Sequence, residues 1–380
     1  MKIMDIVIEI QVDFFMAVLL CIILIHAIFV LDKKKDIDKI FIKICMTNIL
    51  LLILEICDVF LSSKCNIEFI TIHKAVNLIG FLLTPIIPIL LCNITNSWMS
   101  DFKNINKKYK SLFYIPYVIY SFICILSWKY GFLFKISDLN IYSRGGLFLI
   151  VPIVSYGYCI FNLICIFFHK NSFYIEEKSV FLIATLLPFA LGLIQIFHLS
   201  ILTIWNSASV VVIIGYVCIL YKKMKTDPLT GLENRVAYEG FLKSYKGKKK
   251  LWVIYIDVNK FKYINDNFGH DEGDRILVDF AQMIKNVFLS KGRAMRIGGD
   301  EFIILIENED INSINKDINL LMEKVFLSRK SYRYDVSFSY GIACADKNCD
   351  DIKKVIKMAD SSMYENKKSN YSQIKKDNFV

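Results

Sequence analysis

Two places in the sequence set carboxylates where a backbone turn would present them to a cation. Leu251-Trp252-Val253-Ile254-Tyr255-Ile256 is a β-prone run that ends in Asp257, and a carboxylate at a strand end beside a loop suits a metal ion. Met295 to Ile297 and Phe302 to Ile306 read as strands around Gly298-Gly299-Asp300-Glu301, a hairpin whose glycines accept positive φ. A paired-glycine turn alone is only a hairpin. Joined to Asp257, its two carboxylates become candidates for holding divalent ions, which neutralise phosphate charge, lower the pKa of an attacking hydroxyl and assist a leaving group.

The surrounding pattern supplies elements to position these groups. Asp227-Pro228 reads as a turn or helix start, followed by a helix over Glu233 to Lys243. Phe261 to Asp266 suggests a short helix, and Asp271 to about Leu289 a longer amphipathic one with Ile276, Leu277, Phe280, Ile284 and Val287 inward. Val336 to Ala345 is a further strand and Asp351 to Lys368 a further helix. This order predicts an α/β sheet domain with helices packed on it.

Over roughly residues 225 to 375 the sequence resembles the GGDEF family of diguanylate cyclases. Four stretches carry the resemblance in order: Asp227 to Arg235, Asp257 to Asp274 with Gly269-His270 and Gly273-Asp274, Gly298 to Phe302, and Ala359-Asp360 with Met363-Tyr364. The resemblance implies condensation of two GTP into cyclic di-GMP and pyrophosphate, by attack of a 3′-hydroxyl on an α-phosphate. It implies Mg²⁺ (or Mn²⁺) held by Asp257, the Val258 carbonyl, Asp300 and Glu301, with Asp257, Asp300 and Glu301 as the catalytic set. Lys262 and backbone amides near Lys260 and Phe261 would cradle the triphosphate, Lys367 would meet the γ-phosphate, and Asn265 and Asp274 would read guanine. A homodimer is implied, because each half-site holds one GTP.

Departures from the family pattern are also visible. Asn259 stands where many members carry a second aspartate, and Tyr371 where a phosphate-binding arginine is common, with Lys368 a possible substitute. Leu289-Ser290-Lys291-Gly292 occupies the place of the family's Arg-x-x-Asp product-inhibition motif, so no inhibitory site is expected.

The other half is built for lipid. Across 380 residues, 55% are hydrophobic and the mean hydropathy is +0.45, too apolar for an ordinary soluble protein. A helical crossing needs about 20 apolar residues. Seven stretches qualify: 14 to 31, 40 to 57, 69 to 92, 111 to 128, 146 to 168, 179 to 198 and 201 to 220. The first follows Asp13 with neither a basic leader nor a small-residue cleavage site, so it reads as an anchor. Lys33 to Lys35 and Lys39, Lys103 to Lys110, and Lys222 to Lys225 follow alternate spans, which predicts an outside N-terminus and a cytoplasmic C-terminal domain in a bacterial cell membrane. Trp98, Trp128 and Trp205 near span ends and five of six prolines within spans fit the same reading. Pro85 and Pro88 predict a kink, either structural or a hinge.

The expected fold is thus a multi-pass α-helical membrane domain plus a cytoplasmic α/β GGDEF domain with a nucleotide-cyclase-like sheet and flanking helices. Its divisions are a seven-span sensor region at 1–220, a linker at 221–226, the cyclase domain at 227–372 and a tail at 373–380. The architecture resembles seven-helix sensor regions of bacterial kinases and cyclases. The linker leaves no room for a long coiled coil, so the last helix should feed the catalytic domain directly.

Glu55, His73 and Lys74 fall at similar predicted depth and read either as a ligand- or proton-sensing pocket or as a structural ion pair with snorkelling. His26 and His198 read as packed or interfacial. Most of the 11 cysteines lie in apolar spans without metal spacing; Cys57 and Cys65 read either as a disulfide or as two thiols. The net charge of +10 comes from span-flanking and surface lysines, which does not call for nucleic acid. Expected partners are GTP, a second copy, membrane lipid and an unknown sensory ligand. The competing readings are a catalytically silent GTP-binding relay, marked by loss of a metal or guanine residue, and a transporter or receptor with a regulatory tail, marked by internal repeats or deep charges.

Overall fold

The structure is a computed structural model that describes residues 3–62, 67–98, 111–168, 175–197, 204–247, 249–328, 332, 334–347 and 351–377. The chain divides into two compact units, Met1–Ile219 and Leu220–Val380.

The first unit is helical apart from one small hairpin. Its elements are α1 (Ile3–Val30), α2 (Asp36–Ser62), α3 (Ile70–Leu83), α4 (Ile86–Trp98), α5 (Ile115–Tyr130), β1 (Phe134–Ile136), β2 (Tyr142–Arg144), α6 (Ile150–Phe168), α7 (Ile175–Phe197) and α8 (Ile204–Met224). Among the described residues, 6 helical runs are long and apolar enough to cross a membrane. The fourth expected span corresponds to α5, which at 16 residues is shorter than the others. The third expected span is one run, Ile67–Trp98, broken into α3 and α4. The break falls at Thr84 and Pro85, where proline has no N–H to donate.

Large apolar side chains point outward in this unit. Phe29 is 84% exposed, Phe168 82% and Phe122 64%, surfaces that water would not tolerate and lipid covers. The interior is largely apolar too, with hydrogen-bonded polar side chains set between the helices. Asn48 Nδ2 on α2 donates to Ser209 Oγ on α8 at 2.7 Å, and Asn162 Nδ2 on α6 donates to Thr185 Oγ1 on α7 at 2.9 Å. Such hydrogen bonds hold helices together where the surrounding solvent is as apolar as the side chains.

The sequence grouping of Glu55, His73 and Lys74 resolves differently. Glu55 accepts from Gln195 Nε2 at 3.2 Å, whereas His73 Nε2 meets Asp58 Oδ1 at 2.8 Å. Side-chain direction explains the exchange, since Asp58 lies almost one turn beyond Glu55 on α2. His26 Nδ1 hydrogen-bonds with the Tyr216 hydroxyl, the two rings meeting edge to face. His198, Cys65 and the lysines from 103 to 110 lie outside the described residues.

The second unit contains α9 (Arg235–Ser244), β3 (Leu251–Val258), α10 (Phe261–Phe268), α11 (His270–Phe288), β4 (Gly292–Arg296), β5 (Glu301–Glu307), α12 (Ile311–Ser328), β6 (Phe338–Ala345) and α13 (Ile352–Asp377). The four strands form one antiparallel sheet in the order β4-β5-β3-β6. Central strand β3 is apolar on both faces because both are covered. Ile254, Ile256 and Val258 pack with Ile276, Phe280 and Ile284 of α11 and Ile318 of α12. Leu251, Val253 and Tyr255 pack with Val355, Ile356 and Ala359 of α13 and, at the edge, Phe241 of α9. Fully burying each such aliphatic contributes about 1.5–3 kcal/mol.

Helix α8 runs on to Met224, so most of the segment expected as a linker at 221–226 is helical. Asn234 marks where that helix ends and the next begins. Its Nδ2 donates to the Met224 carbonyl at 2.9 Å, while its Oδ1 accepts from Val236 and Ala237 as the N-cap of α9. The helix expected from Glu233 therefore starts at Arg235.

Candidate active site

Asp257 sits one residue from the end of β3, directly opposite Glu301 on β5 and Ser339 on β6. Side chains paired this way share a face about 5 Å apart, so Asp257 and Glu301 are like charges held together. Two groups answer that repulsion. Lys367 Nζ on α13 lies 2.5 Å from Asp257 Oδ1, and the Tyr255 hydroxyl donates to Glu301 Oε1 at 3.1 Å. Burial pushes the Tyr255 hydroxyl pKa up, and the charges of Glu301 and Asp360 push it further.

The hairpin is tied to β3 through its backbone. Val258 N–H donates to the Asp300 carbonyl at 3.1 Å, and Ile297 N–H closes the turn on the Glu301 carbonyl at 3.0 Å. Neither Gly298 nor Gly299 adopts a left-handed φ, contrary to the expectation for this turn. What Gly298 supplies is space, since a Cβ there would lie 2.3 Å from Glu301 Oε2. Burial raises the Asp300 carboxyl above its ordinary range, and the nearby Asp257 charge raises it further.

Arg296, to which the sequence reading gave no role, braces this turn. Its Nη2 donates to the Gly299 carbonyl at 2.8 Å, and its Nη1 pairs with Asp227 Oδ1 at 3.2 Å. Burial would raise the Asp227 carboxyl, but hydrogen bonds from the Thr230 hydroxyl and N–H and the Arg296 guanidinium hold it below the usual carboxylate range. The only sequence signal for this was an arginine placed just ahead of the glycines and an aspartate opening the Asp227-to-Arg235 stretch.

On the other side of Asp257 the chain turns through Lys260, with φ of 57°, into α10. Asn265 and Phe261 on that helix face Gly273 of α11. A Cβ at Gly273 would fall 1.9 Å from Asn265 Oδ1 and 3.3 Å from Phe261 Cε2. Asn265 Oδ1 is buried and has no hydrogen-bond partner. A buried acceptor without a donor is costly, and a base-edge N–H is the kind of group that would satisfy it. Asp274 follows Gly273 and is exposed, as is Lys262.

Asn259 is buried with both amide atoms engaged: its Nδ2 donates to Ser337 Oγ at 3.1 Å and its Oδ1 accepts from Ser339 Oγ at 2.8 Å. It serves to hold β6 against the end of β3. In the place of the product-inhibition motif, Lys291 pairs with Asp317 at 2.7 Å.

The donor set suits a hard divalent ion. Asp257 and Asp300 are oxygen donors whose mutual repulsion a cation would relieve, and Val258 adds a carbonyl at the strand end. Among the described residues no three His, Cys, Asp or Glu side chains already form a cage. Mg²⁺ fits such a site because it keeps waters and takes further oxygens from substrate phosphates. Glu301, engaged by Tyr255, and Lys367, engaged by Asp257, lie at the same edge.

A four-stranded antiparallel sheet with a strand-end aspartate facing an acidic hairpin defines a nucleotide-cyclase-like domain. Residues 224–373 match the family described as "Diguanylate cyclase, GGDEF domain", and that stretch of the chain is a GGDEF domain. Diguanylate cyclase DgcP of Escherichia coli (strain K12) is 33% identical over 152 residues, covering 38% of this chain and 44% of that protein. Cyclic di-GMP phosphodiesterase PdeR of the same organism is 30% identical over 153 residues, covering 39% of this chain and 23% of that protein. The solved GGDEF domain of DgcB from Caulobacter crescentus, in complex with c-di-GMP, is 27% identical and covers 38% of this chain and 91% of that one, with a TM-score of 0.35. The chain spans less than half the length of the curated relatives it matches, between 19% and 49%.

Proposed function

We propose that this chain is a membrane-integrated diguanylate cyclase that condenses two GTP into cyclic di-GMP and pyrophosphate under the control of its helical unit. The observation that carries the reading is the juxtaposition of Asp257, Asp300 and Glu301 at the end of the two central strands, braced by Val258 and Lys367, in a domain of this family. Mg²⁺ or Mn²⁺, when bound, supplies the charge neutralisation that phosphoryl chemistry requires.

The protein's own residues do the rest. Asn265, with its buried acceptor, and Asp274 receive the guanine edge. Lys262, and Lys367 once it leaves Asp257, meet phosphate oxygens. Amides at Lys260 and Phe261 line the turn into α10 and present N–H groups to the triphosphate. Asp257 and Asp300, with the Val258 carbonyl, would hold the divalent ion, which would neutralise phosphate charge. Reciprocal attack needs two such sites facing each other, so the active form is a homodimer.

The helical unit is proposed to cross a bacterial cell membrane seven times, with α5 as the shorter crossing beside the six long ones. The lysine distribution supports an outside N-terminus and a cytoplasmic GGDEF domain.

Membranes containing the full chain, incubated with GTP and Mg²⁺, should yield cyclic di-GMP by chromatography. The Asp300→Ala variant should yield at least about a hundredfold less, the scale of losing a group that stabilises developing charge. No product from the parent, with GTP binding and dimerisation intact, would reassign the chain as a catalytically silent relay.

A further inference from the structure

The helical unit buries a histidine with oxygen at both ring nitrogens. His73 on α3 is 0% exposed. Its Nε2 lies 2.8 Å from Asp58 Oδ1 on α2, and its Nδ1 lies 2.9 Å from Asn140 Oδ1 in the loop joining β1 to β2. Asn140 Nδ2 donates to the Leu61 carbonyl at 2.8 Å, which fixes its amide with the oxygen toward the ring. His73 Nδ1 must therefore carry a hydrogen. Asn77 Nδ2 also donates to Asp58 Oδ1.

Across Nε2 and Asp58 one proton is needed, whichever side holds it. With it, the pair is imidazolium and carboxylate, or imidazole and carboxylic acid. Without it, a ring lone pair faces a carboxylate oxygen at hydrogen-bonding distance, and the contact becomes repulsive.

We propose that Asp58 and His73 form a proton-held clasp that fastens the Phe134–Arg144 hairpin to the ends of α2 and α3, making the proton an input to the helical unit. This rests on the reading of that unit as a regulatory membrane domain. His73 is sealed, while the Asp58 side chain is 31% exposed and is the point of proton exchange. Loss of the proton separates Asp58 from the ring, lets His73 turn away from Asn140, and releases the loop that Asn140, with φ of 60°, otherwise pins to Leu61.

Charged neighbours come from each element around the pair. Glu9 and Asp13 lie on α1 and Glu55 on α2, with Glu9 and Glu55 in electrostatic reach of Asp58. From β2 come Tyr142, which also feels Asp58, and Arg144, whose guanidinium donates to the Gln195 carbonyl at 2.9 Å. Lys74 follows His73 on α3, and α5 presents the phenols Tyr117 and Tyr120, which bond carbonyls near the far end of α3.

Hydrogen exchange on the full chain in lipid nanodiscs tests this, read as protection factors so that the pH dependence of intrinsic exchange cancels. From about pH 5 to about pH 9, the histidine titration range and its margins, protection of amides 134–144 should fall about tenfold or more in the parent. Asp58→Asn offers the ring a neutral partner that can either donate or accept, so its protection should stay flat. Nitrogen-15 labelling of the five histidines, with His73→Gln to assign the signal, should show the ring environment changing over the same range as the protection. Flat protection in the parent, or the same fall in Asp58→Asn, would overturn the clasp. Neither readout needs turnover, so an inactive GGDEF domain would leave this result standing.

Discussion

The two units handle buried polar groups in opposite ways. In the GGDEF domain, charge meets opposite charge: Arg296 with Asp227, Arg293 with Glu233 at 2.6 Å, Lys291 with Asp317, and Lys367 with Asp257. In the helical unit, carboxylates meet amides, with the His73 ring added at Asp58: Asp13 accepts from Asn206 at 2.6 Å and Glu55 from Gln195 at 3.2 Å. Water bathing the edge of a soluble domain lowers the cost of an ion pair, while lipid does not, so neutral donors are the cheaper partners there. An exception in the GGDEF domain is Asn265 Oδ1, buried without a hydrogen-bond partner, the atom proposed above to receive a guanine edge.

The sharpest way to break this contrast is to remove the exception. Asn265→Ala should lower the ratio of kcat/KM for GTP over ATP by about ten- to a hundredfold, the value of a paired contact to a base edge. Stability should change little, because the side chain has an unsatisfied atom to lose. Steady-state kinetics with both nucleotides on the membrane-bound protein check this. An unchanged ratio would mean that Asn265 does not read the base.

Arg296 tests the opposite rule, that charge pairs brace the soluble site. Arg296→Ala leaves Asp227 half-buried without its cation and frees the Gly299 carbonyl. Turnover should fall about tenfold, and the GGDEF domain should lose about 1–2 kcal/mol, less than a fully buried pair because water reaches both side chains. The sign with pH follows from Asp227, whose folded carboxyl sits below its unfolded value. Its stabilising contribution is present above about pH 4 and lost as pH falls through the folded value. Denaturant titrations of parent and variant should accordingly converge in acid and diverge toward neutrality.

This difference between units also governs what the sequence alone could disclose. Asp257, Asp300, Glu301 and Asn265 stand inside short motifs, and the alternation of strands and helices around them follows from local periodicity. The sheet was legible for the same reason. Lys367 was read as a phosphate ligand, but its reach to Asp257 depends on how α13 lies on the sheet, across 110 residues of chain. Tyr255 looked like one more strand residue until its hydroxyl met Glu301. In the helical unit no partner is local: Asn206 and Asp13 are separated by 193 residues, Asn140 and His73 by 67. Hydropathy reports only that these segments are apolar, so six long apolar helical runs were legible and their pairing was not. The turn at Thr84 and Pro85 was legible because proline acts on its own backbone.

The smallest expected effect bears on whether those long-range amide contacts are structural glue. Asn48 Nδ2 donates to Ser209 Oγ, and Ser209 Oγ in turn donates to the Trp205 carbonyl at 2.8 Å, so the hydroxyl both accepts and donates. A double-mutant cycle with Asn48→Ala and Ser209→Ala should return a coupling of about 0.6 kcal/mol, within the range up to about 1.7 found for hydrogen bonds between membrane helices. The value is small because each group finds other partners when the helices separate inside lipid. Unfolding of the full chain in mixed detergent micelles, followed by helix content, gives the cycle. A coupling of several kcal/mol would instead mean that these amides have no alternative partners once separated, and the neutral pairs of the helical unit would then rival the ion pairs of the GGDEF domain. That outcome would erase the energetic side of the contrast while leaving its chemistry, amide against charge, intact.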